Sequence, residues 1–385
     1  MRRAAVGLAA AFLVVAPHAP PSPAAEPMLR VRGTLFVTAD GRPFEWRGVT
    51  AFALLAQVAG GREQDAVAYL RWARQHGFTV VRVLGMAQHL FQLSPGSGVQ
   101  ALPRLLRLAA DRGLVVELVV FADTGSLKLD LERHVDRVAA AMAGADNVVV
   151  ELANENDHPT QDSRLTDPDR LKALRARLPA GIPVSLGSLH GADLRVGRYG
   201  GGEYVTVHAN RAGTEWEHVA RSAVLAGLSR EAGKPVVSDE PIGAAERDVR
   251  GRRSADPAVF FGLGLLGRMG GVPTTFHCED CLRARIPGPR QDACAAAFVE
   301  GARLLPEDRG FSLLPGGAGE VLAAPAVAGA SSVHAASDEA REWVVLAALG
   351  ARDNLALPWA PGWKGEALAR RPGIAVFRVR HEAGW

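Results

Sequence analysis

The chain has 385 residues, of which 48% are hydrophobic and 22% are charged. This composition is ordinary for a globular protein and excludes a largely disordered chain, and the length suits one large domain with a smaller one. The formal net charge is only +3, and the sequence has no basic patch with interleaved aromatic residues. Nothing in it therefore indicates nucleic-acid binding.

Residues 1–25 have the layout of a secretory signal peptide. Arg2 and Arg3 precede an apolar run over residues 4–16, and small residues with several prolines follow as far as Ala25. The run is shorter than a bilayer-spanning helix requires, and an uncleaved membrane anchor is the alternative. We expect cleavage near Ala25, a secreted or periplasmic protein, and no membrane association after cleavage.

Residues 26–308 alternate between apolar runs typical of buried strands and amphipathic segments typical of helices. A hairpin comes first, with strands over residues 30–36 and 43–46 on either side of an Asp-Gly turn. Strands are then predicted at residues 47–50, 78–84, 114–121, from 147, 183–186, 204–207, 235–238 and 272–276. Helices are predicted at residues 64–76, 102–111, 131–143, 167–178, 215–232, 257–269 and 292–305. This alternation predicts a (β/α)8 TIM barrel.

Residues 309–385 differ in character. Gly and Pro cluster over residues 315–319, and short alternating apolar runs follow at residues 331–335, 342–347 and 374–379. These runs predict a small β-sandwich-like domain that packs on the barrel.

Two predicted strands end in carboxylates. The stretch over residues 147–156 passes from three valines to Asn154 and Glu155. The stretch over residues 234–243 passes from two valines to Asp239 and Glu240. Since the carboxyl ends of barrel strands form one rim, these side chains are expected to meet. Two rim carboxylates are the minimum for glycoside hydrolysis, in which one protonates the leaving oxygen and the other attacks the anomeric carbon or activates water.

Five short motifs lie in the same order, and on the same predicted elements, as in a known group of enzymes. They are residues 40–44 (Asp-Gly-Arg-Pro-Phe) with Arg47 and Gly48, the strand around Arg82, the pair Asn154-Glu155, His208 after a strand, and Glu240. On these motifs the chain resembles the clan A retaining glycoside hydrolases, which are cellulase-like (β/α)8 enzymes, with family 5 and its relatives the nearest. The resemblance spans about residues 30–305.

The resemblance implies hydrolysis of β-glycosidic bonds in an oligo- or polysaccharide by double displacement. Glu240 would be the nucleophile, and Glu155 would protonate the leaving oxygen and then deprotonate water, with the two carboxyl groups ~5–5.5 Å apart. Arg82 would keep Glu240 ionised, Asn154 would donate a hydrogen bond to the sugar 2-hydroxyl, and His208 would contact the substrate. The resemblance implies no cofactor and no metal.

The residues leave several of these roles open. Either Asp239 or Glu240 could be the reactive acid of its strand, and the register of the motif favours Glu240. Arg82 could instead be a structural ion-pair partner, and His208 could be a buried core histidine. Glu151, which precedes Glu155 on the same face of its strand, is expected to be a buried, hydrogen-bonded acid.

The chain departs from the family pattern at two aromatic positions. Asn210 stands where the family has a tyrosine near the nucleophile, and Phe276 and His277 replace the tryptophan platform after strand eight. His277 and Trp216 are assigned to substrate binding, although Trp216 could equally pack at the start of its helix. These departures motivate the alternative function, a carbohydrate-binding barrel without turnover. Because only 6% of residues are aromatic, a short oligosaccharide or terminal sugar is the favoured substrate.

The cysteines Cys278, Cys281 and Cys294 lie in one short segment. One disulfide that braces the loop after strand eight is expected in an exported protein, with its connectivity left open. A zinc site of three thiolates and His277 is the alternative. The sequence does not indicate the oligomeric state.

Overall fold

The computed structural model describes residues 28–188, 199–208, 212–249, 253–324 and 326–382, so the predicted signal segment and Asn210 lie outside the described residues. The described chain begins with an antiparallel hairpin of β1 (Leu29–Arg32) and β2 (Leu35–Thr38). The single strand predicted over residues 30–36 is therefore wrong, because Gly33, with φ +58°, turns the chain in its middle. The expected Asp-Gly turn follows β2 and is closed by an isolated bridge between Val37 and Pro43.

Eight parallel strands form the predicted barrel. They are β3 (Arg47–Thr50), β4 (Val80–Leu84), β5 (Val115–Phe121), β6 (Val148–Ala153), β7 (Val184–Ser185), β8 (Val205–Val207), β9 (Val236–Ser238) and, after the short strands β10 (Gly243–Ala244) and β11 (Arg253–Ser254), β12 (Thr274–Cys278). Parallel pairing runs from β3 to β7, and from β8 through β9 and β12 back to β3. Between β7 and β8, the Ser185 hydroxyl accepts a hydrogen bond of 3.2 Å from the Thr206 backbone N–H.

Helices surround the strands. They are α1 (Leu54–Ala59), α2 (Glu63–His76), α3 (Gln88–Phe91), α4 (Pro95–Ala110), α5 (Leu131–Ala141), α6 (Pro168–Arg175), α7 (Glu215–Ala232), α8 (Pro257–Gly270), α9 (Glu279–Leu282) and α10 (Pro289–Arg303). The short helices α1, α3 and α9 were not predicted. Helix α4 begins before its predicted start at residue 102, because Ser94 caps it and Pro95 occupies its first turn. Among the described helices, none is both long and apolar enough to cross a membrane.

The barrel strands are buried along their whole length. This explains why they read as continuous apolar runs, since both faces of a parallel barrel strand are covered. Polar side chains interrupt the runs at inward positions, notably Arg82, Glu117, Glu151 and Thr206, all of which are buried. The interior of the barrel therefore carries a polar layer beneath its rim.

The expected C-terminal β domain is a five-stranded antiparallel sheet. Its strands are β13 (Phe311–Leu313), β14 (Ser332–Asp338), β15 (Val344–Ala351), β16 (Trp363–Arg371) and β17 (Gly373–His381), in the spatial order β13-β14-β15-β17-β16. The sheet packs on the outer helices of the barrel: the Arg371 guanidinium stacks 4.5 Å from the ring centroid of Phe261 in α8. It therefore lies against the side of the barrel.

Candidate active site

The predicted site residues come from strands that lie far apart in the sequence. Arg82 belongs to β4, Glu155 follows β6, His208 follows β8, Glu240 follows β9, and His277 belongs to β12. Because all barrel strands are parallel, their carboxyl ends reach the same rim. Arg82 and Glu240, which are 158 positions apart, are thus in direct contact.

Arg82 is the centre of this site. Its side chain is fully buried, and Nη1 donates to Glu240 Oε1 at 2.8 Å. Nη2 donates to Glu151 Oε2 at 2.7 Å and to Asn154 Oδ1 at 2.9 Å, while Nε donates to Glu151 Oε2 at 3.0 Å. Both roles considered for Arg82 are present in the geometry, since it orients Glu240 and forms a buried ion pair with Glu151. Glu151 is the buried, hydrogen-bonded acid that the sequence predicted.

His208 lies between the two predicted catalytic glutamates. Its Nδ1 is 3.3 Å from Glu155 Oε1, and its Nε2 is 3.8 Å from Glu240 Oε1. One oxygen of Glu155, one oxygen of Glu240 and one nitrogen of His208 all lie within 4.8 Å of one another. The side chains of Glu155 and Glu240 retain 19% and 11% of their exposure, so both border solvent at the rim.

The charges of the site support one another. Burial by itself lowers the pKa of Arg82, but Glu151, Asp239 and Glu240 raise that pKa well above its ordinary value, so the guanidinium stays charged. Burial also acts to lower the pKa of His208, whereas the charge of Glu240 and the hydrogen bond with Glu155 raise it above its ordinary value. The two glutamates therefore favour protonation of His208, whereas burial and the nearby charge of Arg82 oppose it.

Two groups of side chains have the ligand types of a metal site. They are Glu151, His208 and Asp239, and Glu155, His208 and Glu240, with one ligand atom from each residue within 4.8 Å of the others. Both groups share His208, whose Nε2 is 3.3 Å from Arg82 Nη2. A divalent cation there would face the fixed charge of Arg82 in a buried setting, where like charges repel strongly. These donors thus fit the arginine already among them better than a metal ion.

The backbone at Glu155 is held in an unusual conformation. Its φ of +46° lies in the left-handed region, which residues other than glycine rarely adopt. The neighbouring Asn156 fixes this turn, since its Nδ2 donates to the Leu165 carbonyl at 3.0 Å and its backbone N–H to the Ser188 carbonyl at 2.8 Å. Gln161 donates to the carbonyl of Asn154. Backbone strain held in place by buried side chains is typical of functional sites.

Asn156 and Gln161 belong to the site but were not predicted from the sequence. Both are buried beside the carboxylates, and the only local signal was the polar cluster that follows β6. Their hydrogen-bond acceptors, the carbonyls of Leu165 and Asn154, could not be identified from spacing, because they depend on how the loop after β6 folds back.

His277 lies on the β3 side of the site. Its Nδ1 is 3.0 Å from Thr50 Oγ1, and its ring packs edge-on against Phe52 with the centroids 6.3 Å apart. The same Phe52 ring lies 5.2 Å from the guanidinium carbon of Arg82. His277 is thus joined to the arginine centre through Phe52.

Trp216 lies in the first turn of α7, where the barrel meets the C-terminal sheet. Its half-buried ring packs closely on Gly262 of α8 and on Gly373 of β17, where an added side chain would collide with it. The packing role at the start of α7 is present in the structure, and the assignment of Trp216 to substrate binding stays a prediction. The ring fills the contact between the barrel and the C-terminal sheet.

The cysteines form one disulfide, between Cys278 and Cys281, and Cys294 is a buried free thiol. The bridge closes the start of α9 directly after His277, which is the loop expected to be braced. Two of the three thiols are consumed in this bond, so the alternative zinc site of three thiolates is not formed.

The fold is shared with solved glycoside hydrolase structures. A Bacteroides vulgatus protein provisionally classed as a glycoside hydrolase superposes with a TM-score of 0.62 and 16% identity, over 91% of this chain and 71% of that chain. A family 5 glycoside hydrolase from the same organism superposes with a TM-score of 0.58 and 11% identity, over 92% of this chain and 94% of that chain. A β-glucanase from Saccharophagus degradans, in complex with cellotetraose, superposes with a TM-score of 0.53 and 14% identity, over 74% of this chain and 98% of that chain.

No protein-family model matches the chain, and no curated protein matches it either. At identities of 11–16%, the structural similarity concerns the fold. The barrel with its C-terminal sheet accordingly has the fold of the clan A glycoside hydrolases of the family 5 type.

Proposed function

We propose that this chain is a retaining glycoside hydrolase that cleaves β-glycosidic bonds with Glu155 and Glu240. The separation of the two carboxylates carries the proposal, since an oxygen of one lies within 4.8 Å of an oxygen of the other. Retaining enzymes place their two carboxyl groups ~5–5.5 Å apart, whereas inverting enzymes leave ~6.5–9.5 Å for a water molecule. The spacing here supports direct attack by one glutamate.

In the first step Glu240 attacks the anomeric carbon and a covalent glycosyl-enzyme forms. The bond from that carbon to the leaving oxygen breaks, and Glu155 gives its proton to this oxygen. Arg82 Nη1, which lies 2.8 Å from Glu240 Oε1, stabilises the ionised form that attacks. Glu240 is preferred to Asp239 as the nucleophile because Asp239 is completely buried beneath it.

In the second step Glu155 removes a proton from water as the water oxygen attacks the anomeric carbon. The bond to Glu240 breaks, Glu240 leaves as a carboxylate, and both glutamates return to their starting states with the sugar configuration retained. His208, which touches both glutamates, stabilises whichever of them carries the charge at each stage.

Asn154 is proposed to bind the sugar 2-hydroxyl. Its Oδ1 already accepts a hydrogen bond from Arg82 at 2.9 Å, so its amide N–H groups are the donors for the substrate. A hydrogen bond to this hydroxyl strengthens in the transition state. His277, joined to the arginine centre through Phe52, is proposed to line the sugar site from the β12 side.

A carbohydrate with β-linkages is the proposed substrate, and a short oligosaccharide or terminal sugar is favoured because few aromatic side chains are available for stacking. The similar fold of the β-glucanase bound to cellotetraose supports a carbohydrate ligand. We also propose export, on the signal-like sequence of residues 1–25 and on the Cys278–Cys281 disulfide, since disulfides persist in oxidising compartments.

Kinetics on aryl β-glycosides test the proposal. Glu240→Gln should abolish turnover. Glu155→Gln should lower turnover about 10²–10⁴-fold for poor leaving groups, while a dinitrophenyl glycoside still forms the glycosyl-enzyme and added azide yields a β-glycosyl azide. Product released by the unmodified enzyme should appear first as the β-anomer by NMR. An α-anomer would refute retention. If the unmodified protein binds sugar, and neither variant changes that binding or any residual turnover, a non-catalytic carbohydrate-binding barrel is favoured.

A further inference from the structure

Two acids inside the barrel have no role in the proposed reaction. Glu117 lies in the middle of β5, Asp239 directly follows β9, and both side chains are completely buried. A hydrogen bond between the two side chains lowers the pKa of Glu117 and raises that of Asp239. Two ionised carboxylates cannot bond in this way, because a carboxylate is an acceptor only.

The hydrogen-bond donors around the pair do not compensate two negative charges. The Tyr204 hydroxyl donates to Glu117 Oε1 at 3.0 Å. Among the residues that the structure describes, no donor reaches Glu117 Oε2 or either oxygen of Asp239. Arg82 Nε lies 3.7 Å from Asp239 Oδ2, which is beyond a good hydrogen bond. A buried acid left in this state would be strongly destabilising if ionised.

Arg82 is largely committed to partners other than Asp239, since four of its five N–H groups donate elsewhere. Its three nitrogens already donate to Glu151, Glu240 and Asn154. Burial is the main reason that the pKa of Glu117 is raised to about 7 and that the pKa of Asp239 is raised well above its ordinary value.

We propose that Glu117 and Asp239 share a proton at neutral pH and thereby act as positioning residues that leave Arg82 to Glu151 and Glu240. An ionised Asp239 would compete for the guanidinium, because opposite charges attract strongly in a buried site. The neutral pair prevents this competition and keeps Nη1 on the adjacent Glu240. The effect on Glu240 rests on the proposed function, whereas the shared proton does not.

Infrared spectroscopy in heavy water detects the proton directly, because a protonated carboxyl has a carbonyl band separate from the carboxylate bands. The full chain with Glu155→Gln is the background, which removes any signal from that acid. At a pH of about 8, where ordinary carboxyls are ionised, we expect a band that shifts when aspartate is labelled with ¹³C. Asp239→Asn should remove this band, and the matched surface control Asp136→Asn should leave it.

An aspartate-dependent band at that pH supports the shared proton, and a spectrum without one overturns it. Isotope labelling decides the matter even if Asp239→Asn does not fold. Because the background lacks the proposed acid/base residue, the result is independent of any glycosidase activity. If the band is present but the unmodified enzyme shows no turnover of β-glycosides, the proposed function is overturned and the shared proton is not.

Stability as a function of pH gives a second readout. Acids with raised pKa hold protons in the folded state that the unfolded chain releases, so stability falls as pH rises from about 4 through about 7. Glu117→Gln should flatten this fall relative to the unmodified protein, and an unchanged slope would contradict the proposal. The other charged or titratable groups that face the pair are Arg82, Glu151 and Tyr204. They are the same in the unmodified protein and in Glu117→Gln.

Discussion

Replacing Arg82 with methionine should destabilise the fold and disable the site together. The side chain is fully buried and is the hydrogen-bonding cation of Glu151, which is itself fully buried, and of Glu240. Removing one partner of a buried ion pair costs about 3–5 kcal/mol, because the remaining charge is left uncompensated. Two carboxylates lose their partner here, so the upper half of that range, about 4–5 kcal/mol, is expected near pH 7.

Urea unfolding followed by circular dichroism measures this loss, and kcat on an aryl β-glycoside measures the effect on the site. The matched control is Arg175→Met, in which the arginine also binds one carboxylate through two nitrogens, with Glu203, but at the surface. That pair is expected to contribute about 1 kcal/mol or less.

If Arg82→Met and Arg175→Met lower the free energy of unfolding by similar amounts, Arg82 does not compensate the buried charges of Glu151 and Glu240 as described. If stability falls as expected but kcat does not, Arg82 is a structural ion-pair partner with no effect on Glu240. The two measurements thus separate the two roles considered for this residue.

Two further predictions concern the histidine and the tryptophan of the predicted site. The folded-state pKa of His208 is raised, so the stability that its charge contributes is complete below the unfolded pKa of about 6.5 and is lost as pH rises through the higher folded pKa. His208→Asn should flatten the decline of Tm above pH ~6.5, and an unchanged decline would contradict a charged His208. Trp216→Leu should lower stability by about 1–3 kcal/mol through lost packing and leave KM unaltered. A raised KM in that variant would return Trp216 to the substrate site.

Much of the barrel could be predicted because its signals are local. Continuous apolar runs marked strands that are covered on both faces, and the bounds predicted for α7 agree with the structure because Thr214 and Glu217 form a capping box at its start. The short helices α1 and α3 were missed, since neither has a side-chain cap that a sequence would display. The residues 30–36 were assigned to one strand because a glycine that turns a hairpin cannot be told from one tolerated within a strand.

The sequence by itself determined that Glu155 and Glu240 stand at strand ends, since an apolar run gives way to polar residues just before each of them. Only the tertiary structure decided their neighbours: Arg82 binds both Glu151 and Glu240, Asp239 faces Glu117 across the barrel, and Trp216 packs on the C-terminal sheet. The physical reason is that burial and capping depend on nearby residues, whereas contacts across a barrel depend on the register of strands that are distant in the chain.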